Sequence, residues 1–255
     1  TNIQNLDLKF ELFPSAGEIV SFAAFYKKII DPIEYARSLN YSDRSIRSLN
    51  TGDAYVKGIE AELRKKIDFI PFAPWLKNVT LFANGSLLES KVNSIDINTI
   101  EFQTVAEHTL TGQPDYIINA GISIGAFRNT FETTLNYNRT GDYVYQLGSA
   151  AKVEKQSYLP TPVARLLARD LLDLVVTQSL FKNKCKIKLS AGNLLNKPYI
   201  IYQDTNGNKK FDAPIKVKPF SVMPEIDAAY ESGIDAVYLS VQPQRTYSFS
   251  ISYTF

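Results

Sequence analysis

The stretch Thr246-Tyr247-Ser248-Phe249-Ser250-Ile251-Ser252-Tyr253-Thr254-Phe255 decides the fold. Large apolar side chains occupy every odd position, and small hydroxyl side chains occupy every even one. Successive side chains of an extended strand point to opposite faces, so a period of two sorts these classes onto two sides. A helix would mix them. The segment predicts a β-strand with one apolar and one polar face.

The same alternation recurs upstream. Leu6, Leu8, Phe10 and Leu12 alternate with Asp7, Lys9 and Glu11. Tyr55, Ile59, Ala61 and Leu63 oppose Glu60, Glu62 and Arg64, and Val79, Leu81, Ala83 and Leu87 oppose Thr80, Asn84, Ser86 and Ser90. Ile118 to Ala126, Phe131 to Asn138, Leu172 to Leu180 and Ile187 to Ala191 repeat the pattern. Glu18 to Lys28 is apolar on both faces, yet Val20, Phe22, Ala24 and Tyr26 mark it as a strand. Nine strands are predicted in all. The 12 prolines fall at strand ends or between strands, as a hydrogen-bonded ladder requires. Thr161 to Leu172, where apolar residues bunch, leaves a helix open as a secondary reading.

The connections alternate in length. Pro14 to Gly17, Asp68 to Trp75, Arg128-Asn129 and Phe181 to Lys184 are short. Tyr35 to Thr51, Asn93 to Asp115, Gly141 to Val163 and Asn196 to Gln244 are long. In an up-and-down meander, alternate connections lie at opposite ends. The short turns then share one end and the long loops the other. Short periplasmic turns and long external loops are the asymmetry of transmembrane β-barrels.

Average composition conceals this. The chain has 255 residues, 45% apolar and 21% charged, with 28 basic against 26 acidic side chains. A net charge of +2 gives no basic face for nucleic acid. A single cysteine, Cys185, excludes an internal disulfide. No apolar run is long enough for a transmembrane helix. A barrel, however, bonds every backbone group between strands, so only one face must be apolar. The other face then carries Glu60, Glu62, Arg64, Asn84, Glu132, Asn136, Lys186 and Lys188 toward a wet lumen. The rival reading is an extracellular, water-soluble β-sandwich binding module. Long strands, regular loop asymmetry and aromatics near strand ends (Tyr26, Tyr55, Trp75, Tyr116, Phe127, Tyr137, Phe181, Tyr247 and Tyr253) favour the barrel. Bacterial single-chain barrels have even strand numbers, so nine strands are expected to be the C-terminal part of a larger barrel.

The closing strand, with Tyr247, Phe249, Ile251, Tyr253 and Phe255, resembles the C-terminal signature of outer-membrane barrel proteins. The resemblance implies that the barrel-assembly machinery reads this strand. The body is similar to the C-terminal barrel half of TonB-dependent receptors, particularly the Bacteroidota type. The resembling stretches are Asn5 to Glu34, Gly58 to Val92 and Gly192 to Asp212 (GNLLNKPYIIYQDTNGNKKFD). That family implies a barrel of roughly 22 strands with a plugged lumen. It also implies a TonB box ahead of the plug, location in the outer membrane among its lipids, and uptake of a large, scarce solute. Neither plug nor TonB box lies within this sequence. The resemblance equally admits a receptor-like scaffold within a larger outer-membrane complex, or a partner lipoprotein at the surface. It implies no enzyme.

The remaining motifs are local. His108, the only histidine, falls in a predicted external loop and reads as a solvated residue, since no Gly-x-Ser-x-Gly accompanies it. Cys185 reads as a small apolar filler at a strand end. Asp204, Asn206, Asn208 and Asp212 place oxygen ligands at positions 1, 3, 5 and 9 of a calcium-like loop. Gly207 and Lys209 break the EF-hand pattern, which leaves a polar Asn-Gly turn as the alternative to a weak Ca²⁺ site. No other cofactor is expected.

Overall fold

A computed structural model of the protein describes residues 1–37, 46–70, 72–93, 108–127, 130–148, 162–205, 207–212 and 235–255. The expected turn at Arg128-Asn129 lies outside these residues. The chain begins with a long hairpin, β1 (Asn2–Leu12) and β2 (Ile19–Ile30). Gly17 lets its turn adopt φ of +82°, which a Cβ would resist. Two short strands, β3 (Ile33–Arg37) and β4 (Ile46–Asn50), precede β5 (Ala54–Lys66). A 3-10 turn at Pro74–Asn78 leads into β6 (Val79–Val92), followed by β7 (Tyr116–Ala126) and β8 (Phe131–Thr140). The remaining strands are β9 (Tyr143–Gln146), β10 (Val163–Leu166), β11 (Arg169–Leu180), β12 (Cys185–Gly192), β13 (Tyr199–Asp204), β14 (Ala236–Val241) and β15 (Thr246–Tyr253).

One antiparallel sheet of nine strands dominates, ordered β1-β2-β5-β6-β7-β8-β11-β12-β15. Each member overlaps one of the strands read from alternation. Order in the sheet follows order in the chain, which defines an up-and-down meander and not the Greek key of a sandwich. Directly paired residues share a face, so the register fixes the two surfaces. Leu8, Ala24, Ile59, Leu87 and Tyr116 form one continuous row across five strands. Glu62, Asn84, Asn119 and Asn138 form another on the opposite face.

Among the described residues, nothing packs on the apolar face. Leu8 is 77% exposed, Phe22 60% and Phe249 62%. Water would penalise such a surface at about 25 cal/mol per Å². The wall is one strand thick, and its solvent on this side must be apolar.

The predicted long loops are partly strand, which corrects the reading of them as loops. The strands β3 and β4 pair with each other. A separate four-stranded sheet has the order β14-β13-β10-β9. That order repeats β15-β12-β11-β8 beneath it. Each short strand continues a long one across a brief break: Gly141-Asp142, Leu167-Ala168, Asn193 to Pro198 and Gln242 to Arg245. The wall therefore extends past its spanning part. The helix considered for Thr161 to Leu172 is replaced by β10 and the start of β11. Apolar residues bunch there because Ala164, Arg165 and Leu166 are buried together, only 6%, 5% and 7% exposed.

Candidate functional site

The eight residues expected to face a lumen do share one face of the sheet. Glu60, Glu62 and Arg64 lie on β5, Asn84 on β6, Glu132 and Asn136 on β8, and Lys186 and Lys188 on β12. The register carries their face from Glu132 through Thr177 and Lys188 to Ser250. A ladder of carboxamides crosses its middle. Asn119 Nδ2 donates to Asn84 Oδ1 at 2.8 Å, and Asn138 Nδ2 donates to Asn119 Oδ1 at 2.7 Å. Ser123 Oγ donates to Glu132 Oε1 at 3.0 Å. A groove of about 330 Å³ opens between Lys9, Ser21, Glu60, Glu62, Asn84 and Asn119, with Ala23, Ala61 and Ile117 among them. These groups can solvate a hydrated solute or a polar protein surface.

Sequence reading missed two aromatic residues on this polar face. Phe25 lies across Gly58, and Phe82 lies across Gly121. Lys27 Nζ stands 4.9 Å from the Phe25 ring centre, and the Arg64 guanidinium 6.0 Å from that of Phe82. The signal was present as lone glycines inside strands, which mark close approach of a neighbouring group.

Aromatic residues flank the apolar face at both ends. Tyr26 and Tyr55 stack with ring centres 6.2 Å apart near the long connections. Tyr137 donates its hydroxyl to Asp170 Oδ1 at 2.6 Å, and Arg139 pairs with the same oxygen at 2.8 Å. Phe127 and Phe131 meet at 6.3 Å near the short turns, where Trp75 and Phe181 are also exposed. The amphipathic Tyr and Trp rings among these suit a lipid–water boundary.

At the long-connection end, Glu34 on β3 is 1% exposed and gathers three donors. Its Oε2 lies 2.8 Å from His108 Nε2 and accepts from Thr51 Oγ1 at 2.8 Å, while Oε1 accepts from the Thr111 amide at 2.9 Å. Burial alone would push the Glu34 pKa up. The hydrogen bonds from His108, Thr111 and Thr51 outweigh it and hold the carboxyl below the ordinary glutamate value. His108 is thus not the solvated residue expected. Its backbone bridges Val92, which draws the imidazole inward. In the four-stranded sheet, Arg165 Nε donates to Asp142 Oδ2 at 2.9 Å, and Tyr202 donates to the same oxygen at 3.2 Å. Burial raises the Tyr202 pKa.

The calcium-like loop uses its carboxylates locally. Asp204 accepts from the Asn208 amide at 3.1 Å and the Lys209 amide at 2.9 Å. Asn208 Nδ2 donates to Asp212 Oδ2 at 2.9 Å. Asp235, unremarked in the sequence, accepts from the amides of Thr205 at 3.0 Å and Asp212 at 2.8 Å. Asn206 lies outside the described residues. Among the described residues, no group of three or more His, Cys, Asp or Glu side chains is placed to hold a metal ion.

A meander one strand thick, apolar outside and polar inside, with short turns at one end and strand-bearing connections at the other, is the architecture of a transmembrane β-barrel wall. The chain belongs to the TonB dependent receptor-like, beta-barrel family, whose sequence profile matches residues 2–174. It is similar to the FrpB iron transporter of Neisseria meningitidis at 14% identity, over 77% of this chain and 27% of that one, with a TM-score of 0.48. It is similar to the ferric yersiniabactin uptake receptor FyuA of Yersinia pestis at 15% identity, over 78% and 26%, with a TM-score of 0.49. The ferric enterobactin receptor PfeA of Pseudomonas aeruginosa gives 14% identity, 77%, 26% and 0.47. The chain spans only about a quarter of the length of these receptors. No curated protein matches it.

Proposed function

We propose that this chain supplies part of the barrel wall of a TonB-dependent outer-membrane receptor that takes up a large, scarce solute. The carrying observation is the division of one continuous sheet into an exposed apolar face and a polar face, within a sequence of this family. In this reading, Glu60, Glu62, Arg64, Asn84, Glu132, Asn136, Lys186 and Lys188 line the lumen. Connections held by Glu34 and His108 form part of the external face. A plug and a TonB box, outside this sequence, couple uptake to the inner-membrane proton gradient. Tyr247, Phe249, Ile251, Tyr253 and Phe255 present the closing strand to the barrel-assembly machinery. The likeness of Asn5 to Glu34, Gly58 to Val92 and Gly192 to Asp212 to Bacteroidota receptors supports an origin in that group, and a surface lipoprotein partner belongs to the same reading. A bound Ca²⁺ at Asp204, Asn206, Asn208 and Asp212 is a separate proposal, resting on oxygen spacing alone and read by Tb³⁺ luminescence.

Capture of the full-length receptor by the C-terminal domain of TonB tests the transport reading. The expected result is binding that a disrupted TonB box abolishes. A full-length protein that extracts with detergent, shifts on heating and ignores TonB would instead be a scaffold barrel. One that stays in the aqueous fraction would contradict both.

A further inference from the structure

A groove indents the apolar face across β11, β12 and β15. Leu174 and Val176, Leu189 and Ala191, and Tyr247 and Phe249 enclose about 400 Å³ there. The register puts Leu174, Ala191 and Tyr247 in one row, with Val176, Leu189 and Phe249 in the next. Ala191 makes the gap, because a single methyl stands between a leucine and a tyrosine. Side chains facing a gap forfeit dispersion contacts, which a flexible apolar chain restores. Ala191 is the last residue but one of β12, and Tyr247 is the second of β15. The groove therefore starts just below the long-connection rim and runs down the wall.

Charge at the rim says what fills it. Elsewhere along this rim cations meet carboxylates: Lys28 pairs with Asp53 at 3.2 Å, Lys57 with Glu89 at 3.1 Å and Arg139 with Asp170 at 2.8 Å. Above the groove, Arg245 and Lys197 are exposed and form no ion pair among the described residues. Arg245 lies two positions before Tyr247. Its Nε donates to the Leu194 carbonyl at 3.0 Å, which fixes the guanidinium and leaves both terminal nitrogens for an outside acceptor. Lys197 stands within electrostatic reach of Asp170, which shares the face of Leu174 on β11 and is already matched by Arg139. Arginine forks bond phosphate oxygens in pairs, and basic pockets at a membrane surface hold lipid headgroups. We propose that this corner binds one acylated, phosphate-bearing lipid of the outer leaflet, with a chain in the groove and its phosphate on Arg245 and Lys197. Tyr247 then lies where chain meets headgroup. The inference rests on the barrel reading, which puts this face in lipid, but it can fail alone.

Native mass spectrometry of the full-length receptor, delipidated in detergent and titrated with diphosphoryl lipid A, tests the site. The expected result is one tightly held lipid, with further copies at least about tenfold weaker. Ala191→Phe fills the groove, and Arg245→Gln with Lys197→Gln removes the cations. Each change should weaken the first binding at least about tenfold while the receptor still shifts on heating. A folded Ala191→Phe receptor that binds as before overturns the groove. Should that variant fail to fold, the Arg245 and Lys197 pair, which lies outside the strands, decides alone. Unchanged binding by the pair, or equal binding of lipid A stripped of its phosphates, overturns the headgroup contact. Displacement of the lipid by inorganic phosphate assigns the cations to a free anion and also overturns the proposal. A receptor that shifts on heating and holds no lipid overturns the proposal and leaves the barrel standing. One that needs no detergent overturns both.

Discussion

The nine-stranded wall and the four-stranded sheet above it share one hydrogen-bonding plan and differ in solvent. In the wall, apolar residues are exposed and the strands are long, up to the 14 residues of β6. In the upper sheet, Ala164, Leu166 and Ile201 are buried beside Tyr143 and Tyr199, and the strands have four to six residues. Alternation survives only where the two faces meet different media. Between lipid and water it is strong. Where a small core covers one side and a strand buries a charged residue such as Arg165, paired with Asp142, it fades.

Charge on the apolar face should break this contrast most. Ile122→Arg places a guanidinium in mid-wall and should cost about 2–4 kcal/mol, as arginine does at a bilayer midplane. Asn136→Arg, one strand away on the polar face, should change stability by less than about 1 kcal/mol. Urea-dependent folding of the full receptor into vesicles measures both, and equal losses would erase the distinction between faces.

Close packing inside the wall gives the next effect. A Cβ on Gly121 would lie 2.6 Å from Phe82 Cε2 and 2.7 Å from the Leu135 carbonyl oxygen. The ring can swing but the backbone oxygen cannot, so Gly121→Ala should destabilise by about 1–3 kcal/mol. Adding Phe82→Ala should recover only part of that loss, a coupling that a double-mutant cycle in the same folding assay reads directly.

The external connections should respond separately. Glu34→Gln weakens a buried acceptor of three donors and should loosen the loops around Thr51 and Thr111 by about 1–2 kcal/mol while the wall stays protected. Because the folded carboxyl titrates below its ordinary value, its contribution is complete above that value and disappears as pH falls through the lowered one. Loop protection, measured relative to the intrinsic hydrogen-exchange rate at each pH, should thus be steady from neutral pH down to the ordinary glutamate range and fall only below it. The smallest effect belongs to Lys9–Glu11, an exposed pair at 2.6 Å on the polar face, where Lys9→Ala should shift stability by less than about 0.5 kcal/mol in the same folding assay.

The wall was legible in the sequence because Tyr247 to Phe255 and its counterparts obey a strict period over many residues. The eight polar residues fell on a common face for the same reason. The upper sheet was not legible, since four residues such as Tyr143 to Gln146 cannot establish a period, and Gly141, Pro162, Pro198 and Pro243 read as loop. Glu34 was hidden because its value comes from His108, 74 positions away. Phe82 was passed over because its place on the polar face follows only from the register, which sets it on Gly121.

The central claim is that one continuous sheet separates lipid from water. Nitroxide labels at successive positions Leu135, Asn136, Tyr137 and Asn138, in a full receptor carrying Cys185→Ser and embedded in outer membrane, test it directly. The account predicts that Leu135 and Tyr137 respond to oxygen dissolved in lipid, and Asn136 and Asn138 to a water-soluble relaxant. Equal access of the water-soluble relaxant to all four positions would contradict it.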